Sequence, residues 1–446
     1  MARSRHLAIT AAAATALLVP TAIAGASAPP DSGAAESGAA EEVPTGTGTP
    51  EEATEWALNY TGGTAGEASG DPIRIGYVNQ EALFPEATLG IKAAVEFVNA
   101  ELGGADGRPI ELVECQLNTA EDGGACGAQM ANDDSIVAVL TGTSNVGNKE
   151  LYDALAGNKP VLIGNGITTD DFVNTAGVSY TAGSTGVIAG MAIFTIEEFA
   201  PENVAVVYVD NAGGQAGAQV LLKPILDAAG VTSTLVGVPE TATAPDIAAA
   251  MQAAGADSAD VFVSLLTLQG CIASYDAISS LGIDPVVVTT GLCFGTPMTD
   301  HLAELGVEGT YPDGWYFGGY GYSYFLPDYD SGMQAYITKV QEYGEPVGGS
   351  ETLEYTGFAG PMFANLLTIT KFINELGADN LDFTTLDETV RSFTGPMMIQ
   401  SGPIECGVGI FIAACGHEMG IEQYIDGEWV PVRDGLNGNP IVVPVA

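Results

Sequence analysis

Positive charge is what this sequence has least of: 12 Lys and Arg stand against 56 Asp and Glu, a formal net charge of −44. That balance excludes nucleic acid and anionic membrane surfaces as partners, because both are bound by clustered cations. Histidine is scarcer still, with three in 446 residues. A Ser-His-Asp hydrolase therefore has little to draw on, and Gly142-Thr143-Ser144-Asn145-Val146-Gly147 does not match G-x-S-x-G. There is no C-x-x-C, no second His four residues from His417, no P-loop and no dinucleotide fingerprint. No metal, cofactor or catalytic group is expected. Paired acids such as Asp328/Asp330 read as solvated. Past the N-terminus, no stretch approaches the ~20 apolar residues of a transmembrane helix.

The N-terminus itself reads as an export signal, 1–28. Arg3, Arg5 and His6 precede an apolar core from Leu7 to Val19, and Ala26-Ser27-Ala28 is a cleavage site, with Ala22-Ile23-Ala24 as the alternative. An uncleaved anchor is the competing reading. The first cysteine is Cys115, so a lipid anchor at the cleavage site is not supported. Six cysteines in an exported chain favour disulfides. They allow fifteen pairings; pairing of sequence neighbours, Cys115/Cys126, Cys271/Cys293 and Cys406/Cys415, closes short segments.

Residues 29–70 are rich in Ala, Gly, Pro, Thr and Glu with little periodicity, and read as a flexible acidic linker. Inside it, Trp56-Ala57-Leu58-Asn59-Tyr60 is an apolar island that could dock as a short helix. From Ile73 the pattern becomes βα. Val137-Ala138-Val139-Leu140 is an unbroken apolar run, as for a strand buried on both faces, and it ends in Thr141-Gly142-Thr143-Ser144-Asn145. Strands are expected near 73–78, 110–115, 137–140 and 161–163, with helices between them.

The rhythm then restarts, with strands near 204–209, 231–238, 261–266 and 286–290. The third strands begin at Val137 and Val261 and the fourth at Val161 and Val286, a nearly constant offset. Two copies of one wound α/β unit follow, each with a parallel sheet. The fold class is α/β: two similar doubly wound lobes joined by a hinge. Lobe 1 is expected over 71–189 plus 313–395, and lobe 2 over 190–312 plus 396–446. Aromatic residues then crowd a Gly-rich segment, from Tyr311 through Trp315, Tyr316, Phe317, Tyr320, Tyr322 and Tyr324 to Phe325. They are either core or an aromatic wall for a ligand. Helices near 331–342, 358–376 and 386–393 follow, and Gln423 to Val430 reads as a hairpin around Asp426-Gly427.

The ordered set of elements from about Asp71 to Val432 resembles the type I periplasmic solute-binding proteins of the leucine/isoleucine/valine-binding family, receptors of ABC importers. The resemblance rests on Ile73 to Val78, Gly90 to Asn99, Gly103-Gly104-x-x-Gly107-Arg108-Pro109-Ile110, Val137 to Ser144, and Phe393-Thr394-Gly395-Pro396. It implies a small-molecule solute held between two lobes, separate permease and ATPase partners, a monomer, and a periplasmic or extracellular location. Carried over, the ligand-binding residues are Thr143, Ser144, Asn165 and Gly166. Asn211 stands at a lid position that is often Tyr in the family. Gln80 lies in the first loop, and Gln269 ends the matching strand of lobe 2. The acid that faces an amino-acid ligand's ammonium in that family has its neighbourhood at Thr243-Ala244-Pro245-Asp246, where Asp246 reads as a helix cap. Glu81, Glu86 and Asp210 are the acids that could substitute for it. Plain capping is the competing reading for Thr143, Ser144 and Gln269, and an Asx-turn for Asn211.

Overall fold

A run of buried β-branched and aliphatic residues makes the first sheet, all parallel: β1 (Ile73–Asn79), β2 (Ile110–Gln116), β3 (Ile136–Thr141), β4 (Val161–Ile163) and β5 (Gly177–Ser179), in the order β2-β1-β3-β4-β5. This is a computed structural model, and it describes residues 48–307, 309–320, 330–344, 358–400, 402, 404–432 and 441–442. The expected signal peptide, the linker up to residue 47, and Tyr322, Tyr324, Phe325 and Asp328 lie outside them. The linking helices are α2 (Pro85–Glu101), α3 (Ala120–Asn132), α4 (Asn148–Leu155) and α5 (Thr169–Val173), with α1 (Pro50–Thr61) ahead of β1. The inner strands β1, β3 and β4 are covered on both faces, which is why they read as continuous apolar runs, whereas β2 at the edge is partly exposed.

The second sheet repeats the plan. β6 (Asn203–Val209), β7 (Thr232–Val238), β8 (Val261–Leu265), β9 (Val286–Thr290) and β10 (Tyr316–Tyr320) lie in the order β7-β6-β8-β9-β10, again parallel. Its helices are α6 (Gly183–Phe199), α7 (Ala212–Gln215) running through a π-helical segment into α8 (Lys223–Ala228), α9 (Ala244–Ala254), α10 (Leu268–Leu281) and α11 (Thr296–Glu304). The antiparallel strands β11 (Glu418–Ile425), β12 (Glu428–Pro431) and β13 (Ile441–Val442) extend it. The β11–β12 hairpin turns at Asp426-Gly427, both at positive φ, as expected for an Asp-Gly turn. The three expected disulfides, Cys115–Cys126, Cys271–Cys293 and Cys406–Cys415, are all present.

Three places differ from the sequence reading. First, residues 50–61 are helix, not flexible linker. Thr49 and Glu52 form a capping box, Pro50 opens the helix and Gly62 closes it at φ 66°. Trp56, 8% exposed, enters the lobe-1 core and stacks on Tyr60. Low local hydrophobicity hid a helix whose stability comes from tertiary burial. Second, β10 belongs to the second sheet, although residues 313–320 were expected in lobe 1. Trp315 and Phe317 are core there, with Phe294 5.0 Å from Phe317. The described members Tyr311, Trp315, Tyr316 and Phe317 are therefore packing and not a ligand wall. Third, α6 packs on the second core through Val187, Met191 and Phe194, while Met397, Met398, Ile399, Ile404 and Cys415 pack into the first. The chain thus passes between lobes near Tyr180–Gly183, between β10 and α12 (Ser331–Gly344), and again near Gly416.

After α12, α13 (Ala359–Leu376) and α14 (Phe383–Ser392) complete lobe 1. Gly90 of α2 lies against the Ala359 carbonyl, so a Cβ there would clash with backbone; this close approach brings Phe358 beside the β1–α2 loop. A buried ion pair pins α1 and α12 to α2. Lys339, 1% exposed, reaches both Glu101 oxygens at 2.9 and 3.0 Å, and Glu101 also accepts from Thr54 of α1 and from Tyr343. Burial pushes the Glu101 carboxyl up, but these hydrogen bonds outweigh it and hold it below its usual value.

Two predictions follow from this packing. Trp56→Ala should cost about 3 kcal/mol of unfolding free energy by urea titration, the penalty for emptying a buried aromatic site; a change below about 0.5 kcal/mol would restore the linker reading. The second concerns Glu422 on β11, whose carboxyl burial pushes up to about 8 from 4.5. Below the lower value both folded and unfolded chains carry the proton and burial of this group carries no charge penalty. Between the two values the unfolded chain releases its proton first, so stability falls as pH rises through that window. Glu422→Gln should therefore melt near the parent at about pH 4 and above it at about pH 8.5.

Candidate functional site

In a sheet of this order, the loops leaving β1 and β3 diverge to opposite faces and open a crevice at the strands' carboxyl ends. Asn79, the last residue of β1, bridges that crevice. Its Oδ1 accepts from the Thr143 N–H at 2.9 Å, and its Nδ2 donates to the Phe84 carbonyl, Glu81 and Thr88. Gln80 adds a second clamp, with its N–H on the Thr143 carbonyl and its Oε1 accepting from the Asn145 N–H at 3.0 Å. The β1–α2 and β3–α4 loops are thus one bonded unit.

A second set joins the β3–α4 loop to the β4–α5 loop. Asn148 donates through Nδ2 to the Ser144 carbonyl, Thr168 and Asp171. Asp171 is buried, and burial pushes its carboxyl up even though the Tyr152 hydroxyl and the N–H groups of Ile167 and Thr168 favour its ionised form. The Asn165 N–H bonds the Gly142 carbonyl at 3.2 Å, and its Nδ2 donates to the Phe358 carbonyl at 2.9 Å. Phe358 makes an edge contact with Phe84, centroids 5.2 Å apart. These two half-buried rings stand beside the β3 and β4 ends.

The expected residues of lobe 1 are therefore gathered in one place, with most side chains already engaged. Ser144 does not cap α4, whose N-cap is Gly147; its hydroxyl donates to the Val146 carbonyl at 2.6 Å and accepts from the Val146 N–H. Thr143 is 1% exposed, with its hydroxyl turned inward. Gly166 packs against the Phe172 ring and accepts from the Ser184 N–H. What the lip leaves open is backbone: among the described residues, neither the Ser144 N–H nor the Gly166 N–H has a protein acceptor.

In lobe 2, Asn211 is exposed and its Oδ1 accepts from the Gly214 N–H, a local cap. Gln269 is exposed in the first turn of α10. Asp246 forms a capping box with Thr243, so the acid expected near that helix is committed to its own backbone. Sequence reasoning did not single out Asn148, Asp171, Phe84 or Phe358. Only Asp171 carried a local signal, the Thr168-x-x-Asp171 capping-box spacing.

A sequence profile of the family described as periplasmic binding protein matches residues 76–400. The chain belongs to that family. Among curated proteins no sequence match was found. Solved structures of ABC-transporter binding proteins share its fold. A solute-binding protein from R. palustris in complex with 4-hydroxybenzoate is 15% identical, with TM-score 0.63 over 82% of this chain and 96% of that one. A substrate-binding protein from Desulfitobacterium hafniense in complex with Leu is 17% identical, with TM-score 0.61 over 81% and 100%. A fatty acid ABC transporter substrate-binding protein from Thermomonospora curvata is 14% identical, with TM-score 0.64 over 86% and 98%. The two-lobed, parallel-sheet architecture is that of this family, whose members bind solutes and are not enzymes. Among the described residues, no helix is long and apolar enough to cross a membrane.

The clamp described above is testable without a ligand. Gln80→Ala should leave the fold intact and release the Asn145 amide. Its hydrogen-exchange protection is expected to fall by about tenfold, the equivalent of one lost hydrogen bond; unchanged protection would show that Gln80 does not hold the loop.

Proposed function

We propose that this chain is the extracytoplasmic receptor of an ABC importer. It captures a small polar solute (a branched-chain amino acid, an amide or a related compound) by hinged closure of its lobes, and hands it to separate permease and ATPase subunits. It acts as a monomer, exported by the signal at 1–28, and performs no covalent chemistry. The observation that carries this reading is the pair of open N–H groups of Ser144 and Gly166, at the ends of adjacent parallel strands. Two backbone donors at the ends of adjacent strands suit a carboxylate. Phe84 and Phe358 beside them suit an apolar body. Within the class, a carboxylate with an aliphatic or aromatic body fits best, and the related structures solved with 4-hydroxybenzoate and Leu support that choice. Asn211 and Thr267–Gln269 form the opposing lip in this reading. Glu81, held by Asn79 and Thr88 at the same mouth, is the group to receive an ammonium where the solute has one.

A thermal-shift panel of free carboxylates and their neutral amides tests this. A true ligand at a hundred times its Kd stabilises by about 2.7 kcal/mol, and the carboxylates should outperform their amides. Because the donor is backbone, Ser144→Ala should keep affinity within about threefold, whereas Ser144→Pro, which removes the N–H, should lose more than about tenfold. A panel in which no small solute shifts the melting point, while a protein partner does, would overturn the receptor reading.

A further inference from the structure

Directly behind the lip, between β3, β4, α4 and α5, lies a small cavity leaving ≈ 10 Å³ for the centre of a water-sized molecule. Its apolar wall is Val78, Leu117 and Leu151. Its polar wall is more informative. Ser144, Tyr152 and Asp171 line it with their polar groups already bonded to the protein, whereas Thr141, Thr143, Asn148 and Asn165, each at most 6% exposed, present Oγ1 or Oδ1 atoms buried there with no hydrogen-bond partner within bonding geometry. Three such oxygens around one void, with Thr141 Oγ1 a fourth within reach of the Tyr152 hydroxyl, are costly to leave unmet.

We infer that this cavity is a binding site for a single structural water, which ties the β3 and β4 lips together from behind. The count of donors and acceptors selects the occupant. Asn148 shares its two Nδ2 protons among Ser144, Thr168 and Asp171, and Asn165 donates one Nδ2 proton to the Phe358 carbonyl. Their Oδ1 atoms can only accept. The two threonine hydroxyls need somewhere to place a proton. One water meets both demands, donating twice to the amides and accepting from the hydroxyls. A monovalent cation would satisfy the oxygen lone pairs but leave the hydroxyl protons unaccepted. Thr141 also lies beside the Tyr152 hydroxyl, which is itself committed as a donor to Asp171. If Thr141 turns that way, the water keeps three partners, the usual number for a buried water. The volume matches as well, since about 10–15 Å³ of such space holds one water. Thr143 is the pivotal residue: its N–H and carbonyl are held by Asn79 and Gln80, so only its hydroxyl is left to fix the cavity side of the loop.

Crystals of the mature protein grown without solute, at a resolution of about 1.5 Å, should show one peak about 2.7–3.1 Å from Thr143 Oγ1, Asn148 Oδ1 and Asn165 Oδ1. A dry cavity, or a peak that gains electrons when sodium is exchanged for rubidium, would overturn the assignment. Thr143→Val should lose the water and Thr143→Ser should keep it; a Val variant that retains it overturns the role given to Thr143. Should the Val variant not fold, the parent and Ser crystals still decide the matter. The affinity arm rests on the solute reading above: Thr143→Val should weaken solute binding about tenfold, and Thr143→Ser should restore it. If the water is present but no solute binds, the receptor reading fails and the water site stands.

Discussion

The hydrogen bond from the Thr143 N–H to Asn79 Oδ1 is the contact on which the site depends. It crosses the point where the loops of β1 and β3 part to opposite faces of the sheet, and it reinforces the main-chain bonds from Gly142 to Val78 and from Gln80 to Thr143 where the regular ladder ends. Asn79 and Gln80 bond the β3–α4 loop to β1, the Ser144 N–H has no protein acceptor among the described residues, and the hydroxyl of Thr143 faces the cavity. Asn148 and Asn165 extend the same logic to the β4–α5 loop. A site built from loops would be too mobile for selective capture; here three loops are cross-linked by neutral amides and one buried carboxylate.

No Lys or Arg takes part in these cross-links, and the open donors are backbone. The chain has 12 Lys and Arg, and several of them are spent internally. Lys339 is buried in an ion pair with Glu101, Lys159 caps the carbonyls of Asp133 and Ile136, and Arg391 holds the carbonyls of Thr175 and Ala176. In a protein so acidic, a cationic side chain at the lip would be drawn toward surrounding carboxylates. Peptide N–H groups at strand ends offer an anion partial positive charge that no carboxylate can neutralise by pairing.

Three passages of chain join the two lobes. Two of them lie side by side: Gly416 packs onto the Tyr180 and Thr181 backbone so closely that a Cβ would not fit. The Cys406–Cys415 disulfide closes the segment just before that crossing, and its residues Ala413–Cys415 bond to Phe172 and Ser179 at the edge of the first sheet. The chain is therefore tied to lobe 1 up to Gly416 by backbone hydrogen bonds and close packing.

Much of this was legible in the chain. Periodicity, the restart of the βα rhythm and the turn residues determined two parallel-sheet lobes, most strand positions and the Asp-Gly hairpin, because a strand covered on both faces must be apolar throughout. The same local logic located Thr143, Ser144, Asn165 and Gly166 at strand ends, and identified Asp246 as a cap. It raised a short docked helix around Trp56 only beside the flexible-linker reading, because the apolar residues of 50–61 are few and gain their stability from burial in a core that includes residues of α12 and α13 far along the chain. It did not assign β10 to the second sheet, since an aromatic run reads alike as core or as ligand wall until its neighbours are known. The largest change concerns chemistry. Sequence names hydroxyls and amides, but only tertiary structure decides which of their atoms are already bonded. It turned Ser144 from a side-chain donor into a backbone one, and it set Thr143, Asn148 and Asn165 around a shared void, because hydrogen-bond satisfaction is a property of three-dimensional neighbours and not of residue type.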